Sequence, residues 1–108
     1  MKKSEVVSFR KIAAPREERT IKVVDGALRV PENPVIPIIA GDGIGPDVIK
    51  VAKVVLDAAV EKAYGDRQRI VWFPVPAGET SFKEHGDWLP EDTVKAISHY
   101  VVAMKGPL

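Results

Sequence analysis

The sequence has no cysteine. That excludes a disulfide framework, a thiolate nucleophile and a zinc ribbon. Its two histidines, His85 and His99, fall in no metal-ligand spacing such as His-x-x-x-His, so surface or half-buried roles are expected for both. Charge of one sign is lacking too, because sixteen Lys and Arg offset fifteen Asp and Glu to leave a net +1. A dedicated nucleic-acid or membrane-surface binder needs a concentrated basic face, so neither partner is expected. No apolar run approaches the roughly 18 residues of a membrane span, and no Gly-x-Ser-x-Gly elbow is present. Neither repeats nor low-complexity segments occur. With 108 residues there is room for one modest domain, and 45% hydrophobic with 29% charged residues is ordinary for a globular chain. The absence of cysteine suits a reducing cytoplasm, which is the expected location.

Residues 1–19 are basic through Lys2, Lys3, Arg10, Lys11, Arg16 and Arg19. Val6 and Val7 are too few for the apolar core of a secretory signal, and Glu5, Glu17 and Glu18 argue against a transit peptide. The stretch reads as a loosely held N-terminal arm.

Residues 20–34 read as a β-hairpin and linker. Two β-type runs, 20–24 and 27–30, flank Asp25-Gly26, a turn pair that tolerates positive φ at both positions. Ile21, Val23, Leu28 and Val30 alternate with polar or small residues, which predicts one buried face. Pro31-Glu32-Asn33-Pro34 breaks the pattern.

Residues 35–108 alternate between strand and helix patterns. The apolar run 35–40 predicts a strand covered on both faces, with Pro37 pointing to an edge position or a local irregularity. Pro46 suits a first helical position, and a helix is expected over 47–63 with Gly65 as its stop. Its apolar side is Val48, Val51, Ala52, Val55, Ala58 and Ala59. A strand over 70–75, a polar excursion 78–86 with room for one short helix, and a helix opened by Pro90 follow. Residues 100–104 read as a further strand. The order implies an α/β fold with a parallel sheet. Three strands and two principal helices would cover one sheet face and leave apolar surface.

Few residues invite chemistry. The glycine cluster 41–45 follows a buried strand and opens a helix, where a dinucleotide pyrophosphate could sit. The Gly-x-Gly-x-x-Gly fingerprint fails, however, because the sixth position is Pro46 from Gly41 and Val48 from Gly43. Asp42 fits a cap of the helix or its turn at least as well as a catalytic role. Glu79, Glu84 and Asp87 near Thr80 and Ser81 fit a solvated loop, and Trp72, Phe73 and Trp88 fit core or interface. Lys105 follows an apolar strand directly. Beyond a strand's carboxyl end it can meet a carboxylate, a phosphate or a developing oxyanion, or simply end the strand in solvent. Position alone leaves both open.

Several stretches together resemble the metal-dependent β-decarboxylating dehydrogenases, in the isocitrate branch of that family. They are residues 25–37, the Gly-Asp-Gly-Ile-Gly-Pro-Asp-Val of 41–48, residues 55–64, Ala-Gly-Glu at 77–79, Trp-Leu-Pro-Glu-Asp-Thr at 88–93 and Val-Ala-Met-Lys-Gly-Pro-Leu at 102–108. The resemblance implies the N-terminal part of an isocitrate/isopropylmalate dehydrogenase-like fold, with 35–108 as an incomplete dehydrogenase domain. It implies oxidative decarboxylation of isocitrate to 2-oxoglutarate with NADP and Mg²⁺ or Mn²⁺, a step of the tricarboxylic acid cycle, by a homodimer. By the same resemblance, Ile44 borders the nicotinamide end of NADP. Lys105 and Leu108 border cofactor and substrate, with Lys105 as the substrate contact. The family's substrate clamp, metal-binding aspartates and catalytic Tyr and Lys match nothing in these 108 residues, so no turnover is expected of the chain alone. The alternatives are an isopropylmalate dehydrogenase segment, against which the hairpin and linker ahead of Val35 speak, and a non-catalytic binding module.

Overall fold

The computed structural model describes residues 8–10 and 12–108; the remainder of the expected arm lies outside the described residues. Strands β1 (Lys22–Val24) and β2 (Ala27–Arg29) pair antiparallel, with Val23 opposite Leu28. Asp25 at φ 52° and Gly26 at φ 79° form the two-residue turn read from the sequence. The expected buried face is not there. Every residue of β1 and β2 is exposed, and so is Val30; burial is confined to Thr20 and Ile21, at the foot of the ribbon. Alternation requires a covering partner before it becomes burial, and a two-stranded ribbon has none of its own.

The second sheet has three parallel strands in the order β4-β3-β5: β3 (Val35–Ile39), β4 (Val71–Pro74) and β5 (Met104–Lys105). Pro37 therefore lies in the central strand, fully buried, and not at an edge. The register explains how. The carbonyls of Pro34 and Ile38 accept from Val71 and Val75 on the β4 side, and that of Ile39 accepts from Gly106 on the β5 side. Alternation turns the Pro37 nitrogen toward β5, whose pairing begins only opposite Ile38, so no ladder bond is lost.

Helix α1 (Gly45–Tyr64) links β3 to β4, with Pro46 one position later than expected. It stops at Gly65, whose φ of 65° suits glycine and whose N–H donates to the Glu61 carbonyl. Helices α2 (Glu79–His85) and α3 (Glu91–Tyr100) lead from β4 to β5. The helices divide between the two sheet faces, where a single covered face was expected. Trp72 of β4 donates its Nε1–H to Asp57 of α1 at 2.9 Å. On the other face Ala96 and Tyr100 of α3 join Val35, Ile39 and Phe73 in the core. The outer side of α1 stays open, with Val48, Val51 and Val55 exposed.

The strand expected over residues 100–104 starts only at Met104. Tyr100 ends α3 because it lies one turn beyond Ala96 on the buried face, along with Asp92 and Thr93. Val101 then takes φ 72°, ψ −46° and the Val102 N–H closes on the Tyr100 carbonyl at 2.7 Å, a tight γ-turn that leaves two residues for β5.

The described part of the arm is docked along α3, not loose. Phe9 packs its ring 5.7 Å from that of Phe73, the Arg10 N–H donates to Asp92 at 2.9 Å, and His99 Nε2 lies 3.2 Å from Glu17 Oε1. These contacts cover the α3 face of the sheet.

Candidate functional site

In a parallel sheet the loops beyond the strands' carboxyl ends hold ligands, above all where successive connections leave in opposite directions. Here β3 is followed by β4 on one side and, later, by β5 on the other, so that point lies between the ends of β3 and β5. The loop 41–45 leaves β3 there, and residues 106–108 leave β5.

The structure brings these two segments into contact. The Asp42 N–H donates to the Pro107 carbonyl at 2.8 Å, and the Gly106 N–H donates to Ile39 at 2.7 Å. Glycine is required at the contact. Gly41 takes φ 88°, and any side chain there would run into the Pro107 carbonyl; one at Gly106 would run into Ala40 and Ile49. Ile44 projects from this loop with 70% of its surface exposed, and Leu108 stands 61% exposed. Lys105 is exposed with its Nζ donating to the Gly106 carbonyl at 2.9 Å, so its charge sits at the strand end. The three residues singled out from the sequence thus share one end of the sheet, on two segments joined backbone to backbone.

Asp42 caps a helix, but not the one it precedes. Its carboxylate accepts the Glu79 N–H at the start of α2, 2.9 Å from Oδ2, while the N-cap of α1 is Ile44, with no side-chain cap bond. Gly78 allows this. Its φ is 90°, and a Cβ there would lie 2.8 Å from Leu108 Cδ2. The sequence carried a trace of Gly78 in a glycine directly before a helix start, but its partners lie 36 and 30 residues away.

The other candidates divide. His85 is exposed, 3.8 Å from Glu84; His99 is half-buried beside Glu17. Glu79, Thr80, Glu84 and Asp87 are solvent-exposed as expected, but residues 79–85 are helix α2 and not a loop, and Ser81 is fully buried, donating to the Asp87 carbonyl at 2.6 Å. Phe73 is core; Trp88 is exposed and stacks on Phe82 at 4.8 Å, so it is not core. A cavity of about 370 Å³ lies beside the glycine loop, between Gly41, Pro46, Val75 and Thr80. A larger one, of about 530 Å³, lies at the far end of α1 around Glu61 and Arg69. Burial and the nearby Glu17 carboxylate push the Tyr100 phenol up to about 12.

An exposed apolar residue on each segment and one lysine fit the edge of a planar cofactor and an anionic group. Among the described residues no group of three or more His, Cys, Asp or Glu could hold a metal ion, so no metal step is assigned to them. No helix among them is long and apolar enough to cross a membrane.

Comparison with known proteins places the chain in a family. The isocitrate/isopropylmalate dehydrogenase family profile matches residues 35–108. An isocitrate dehydrogenase [NADP] of Staphylococcus epidermidis is 52% identical over 91 residues, covering 84% of this chain and 21% of that protein. One from Coxiella burnetii is 46% identical over 105 residues, covering 95% and 25%. One from Archaeoglobus fulgidus is 45% identical over 102 residues, covering 94% and 24%. The chain thus spans about a fifth to a quarter of the length of these relatives. With a family match across the whole strand–helix part and the glycine loop in contact with the Lys-Gly-Pro-Leu segment, the chain belongs to the isocitrate/isopropylmalate dehydrogenase family.

Proposed function

We propose that this chain forms part of the cofactor- and substrate-facing wall of an NADP-dependent isocitrate dehydrogenase. The observation that carries the reading is the junction of loop 41–45 with residues 106–108 at the carboxyl ends of β3 and β5. Ile44 and Leu108 offer apolar contact to the nicotinamide ring, and Lys105 offers a cation to a substrate carboxylate. NADP supplies the hydride acceptor when bound; the oxidised substrate then loses CO₂ to leave 2-oxoglutarate. What the chain's own residues do is bind and orient. Relatives named for isocitrate and NADP support the choice within the family.

The same reading takes residues 1–19 as an arm, 20–34 as hairpin and linker, and 35–108 as the dehydrogenase part. It includes Mg²⁺ or Mn²⁺ bound by residues other than these, a homodimeric cytoplasmic enzyme of the tricarboxylic acid cycle, no nucleic-acid or membrane partner, and no turnover by the 108 residues alone. The test is to let this chain replace the matching residues of the Coxiella burnetii relative and to offer isocitrate or isopropylmalate with NADP or NAD. NADPH formation with isocitrate is expected. A preference for isopropylmalate would move the assignment within the family, and no activity with either would favour a non-catalytic module.

A further inference from the structure

Asp42 joins three separate parts of the chain. Its N–H donates to Pro107, its own carbonyl accepts the Gly45 N–H at 2.8 Å, and its carboxylate accepts the Glu79 N–H. Both carboxylate oxygens reach that single N–H, at 2.9 and 3.1 Å. The Gly78 α-carbon fits between this carboxylate and Leu108, where a Cβ would lie 2.9 Å from Asp42 Cγ and 2.8 Å from Leu108 Cδ2. Ile44 sits inside the turn that the Asp42–Gly45 bond closes. The two residues offered to the cofactor are thus held through one aspartate.

We propose that Asp42 is a positioning residue of this site: by accepting the Glu79 N–H, its carboxylate fixes the loop that carries Ile44 against Leu108 and so sets affinity for the cofactor. This rests on the reading of Ile44 and Leu108 as cofactor contacts. One N–H needs only one acceptor oxygen, so the role calls for an acceptor of this reach and not for a negative charge. Asparagine keeps that acceptor. Alanine removes it and leaves the first N–H of α2 without a side-chain partner.

The experiment uses the longer protein in which this chain replaces the matching residues of the Coxiella burnetii relative. Asp42→Ala raises KM for NADP roughly tenfold while kcat stays within about twofold, and Asp42→Asn brings KM back to within about twofold. Amide hydrogen exchange at Glu79, at Gly45 and at position 42, whose N–H groups are bonded at this junction, speeds up in Asp42→Ala and stays slow in Asp42→Asn. An Asn variant as impaired as Ala would assign the role to charge and overturn the proposal. So would an unchanged KM in Asp42→Ala, or a loss confined to kcat. If the unsubstituted protein forms no NADPH, the functional reading fails, and exchange alone decides the positioning. Gly45 and position-42 amides that quicken together with Glu79 in Asp42→Ala uphold it, and amides that stay slow refute it.

Discussion

The backbone N–H of Asp42 and the carbonyl of Pro107 are 2.8 Å apart, and this contact exists because residue 41 has no side chain. A methyl group at Gly41 would occupy the carbonyl's place, in a backbone conformation that already favours glycine. Gly41→Ala is therefore expected to destabilise the chain by roughly 3 kcal/mol or more. Gly26→Ala, at a similar φ but with nothing within 4 Å, costs about 1 kcal/mol. Urea unfolding of both variants checks the difference; equal losses would mean that the contact with Pro107 carries no weight.

Tyr100 gives the fold an alkaline limit. Its phenol is fully buried with no hydrogen-bond partner among the described residues, and burial foremost, then the Glu17 carboxylate, pushes it up to about 12. The folded form thus keeps a proton that the unfolded chain releases near pH 10. The stabilisation is complete below pH 10 and is lost between about pH 10 and 12, amounting to roughly 2–3 kcal/mol. Unfolding free energies measured across that range should fall in the parent and flatten in Tyr100→Phe.

Val101 stores strain. A β-branched residue at φ 72° is rare, and this one is 41% exposed, so its side chain contributes little packing. Val101→Gly is expected to raise stability by about 1 kcal/mol, read as a higher urea midpoint at unchanged slope. A lower midpoint would show that the valine side chain outweighs its backbone.

The open side of α1 should make the isolated chain self-associate. Val51 and Val55 lie one turn apart, 63% and 61% exposed, with Val48 on the same side. Sedimentation velocity is expected to show concentration-dependent species that the pair Val51→Lys, Val55→Lys reduces to monomer. A monomeric parent would contradict this.

The parts legible in the sequence are those decided by neighbours along the chain. Asp25-Gly26 specified the hairpin turn, Gly65 the end of α1, and the apolar run 35–40 a strand covered on both faces. Parts decided by distant partners were not legible. Tyr100 belongs to α3 because its burial partners, Phe73 and Val35, lie on strands. Val23 and Leu28 alternate correctly yet stay exposed because nothing among the described residues packs on their ribbon. Pro37 could sit in a central strand only because β5 is two residues long. Among the proposed site residues, Ile44, Lys105 and Leu108 were reachable through family motifs. Asp42's bond to Glu79 crosses 37 residues and depends on Gly78, so local capping rules assigned the aspartate to its own helix or turn.

The proposed wall depends on Lys105 for its contact with substrate. Steady-state NADPH formation from isocitrate, in the longer protein carrying this chain, measures it directly. Replacing Lys105 by Met should lower kcat/KM for isocitrate roughly a hundredfold, the loss of a charged contact at the substrate, and move KM for NADP far less. An unchanged kcat/KM for isocitrate would leave Lys105 a lysine that merely ends β5, and the proposed wall without its substrate contact.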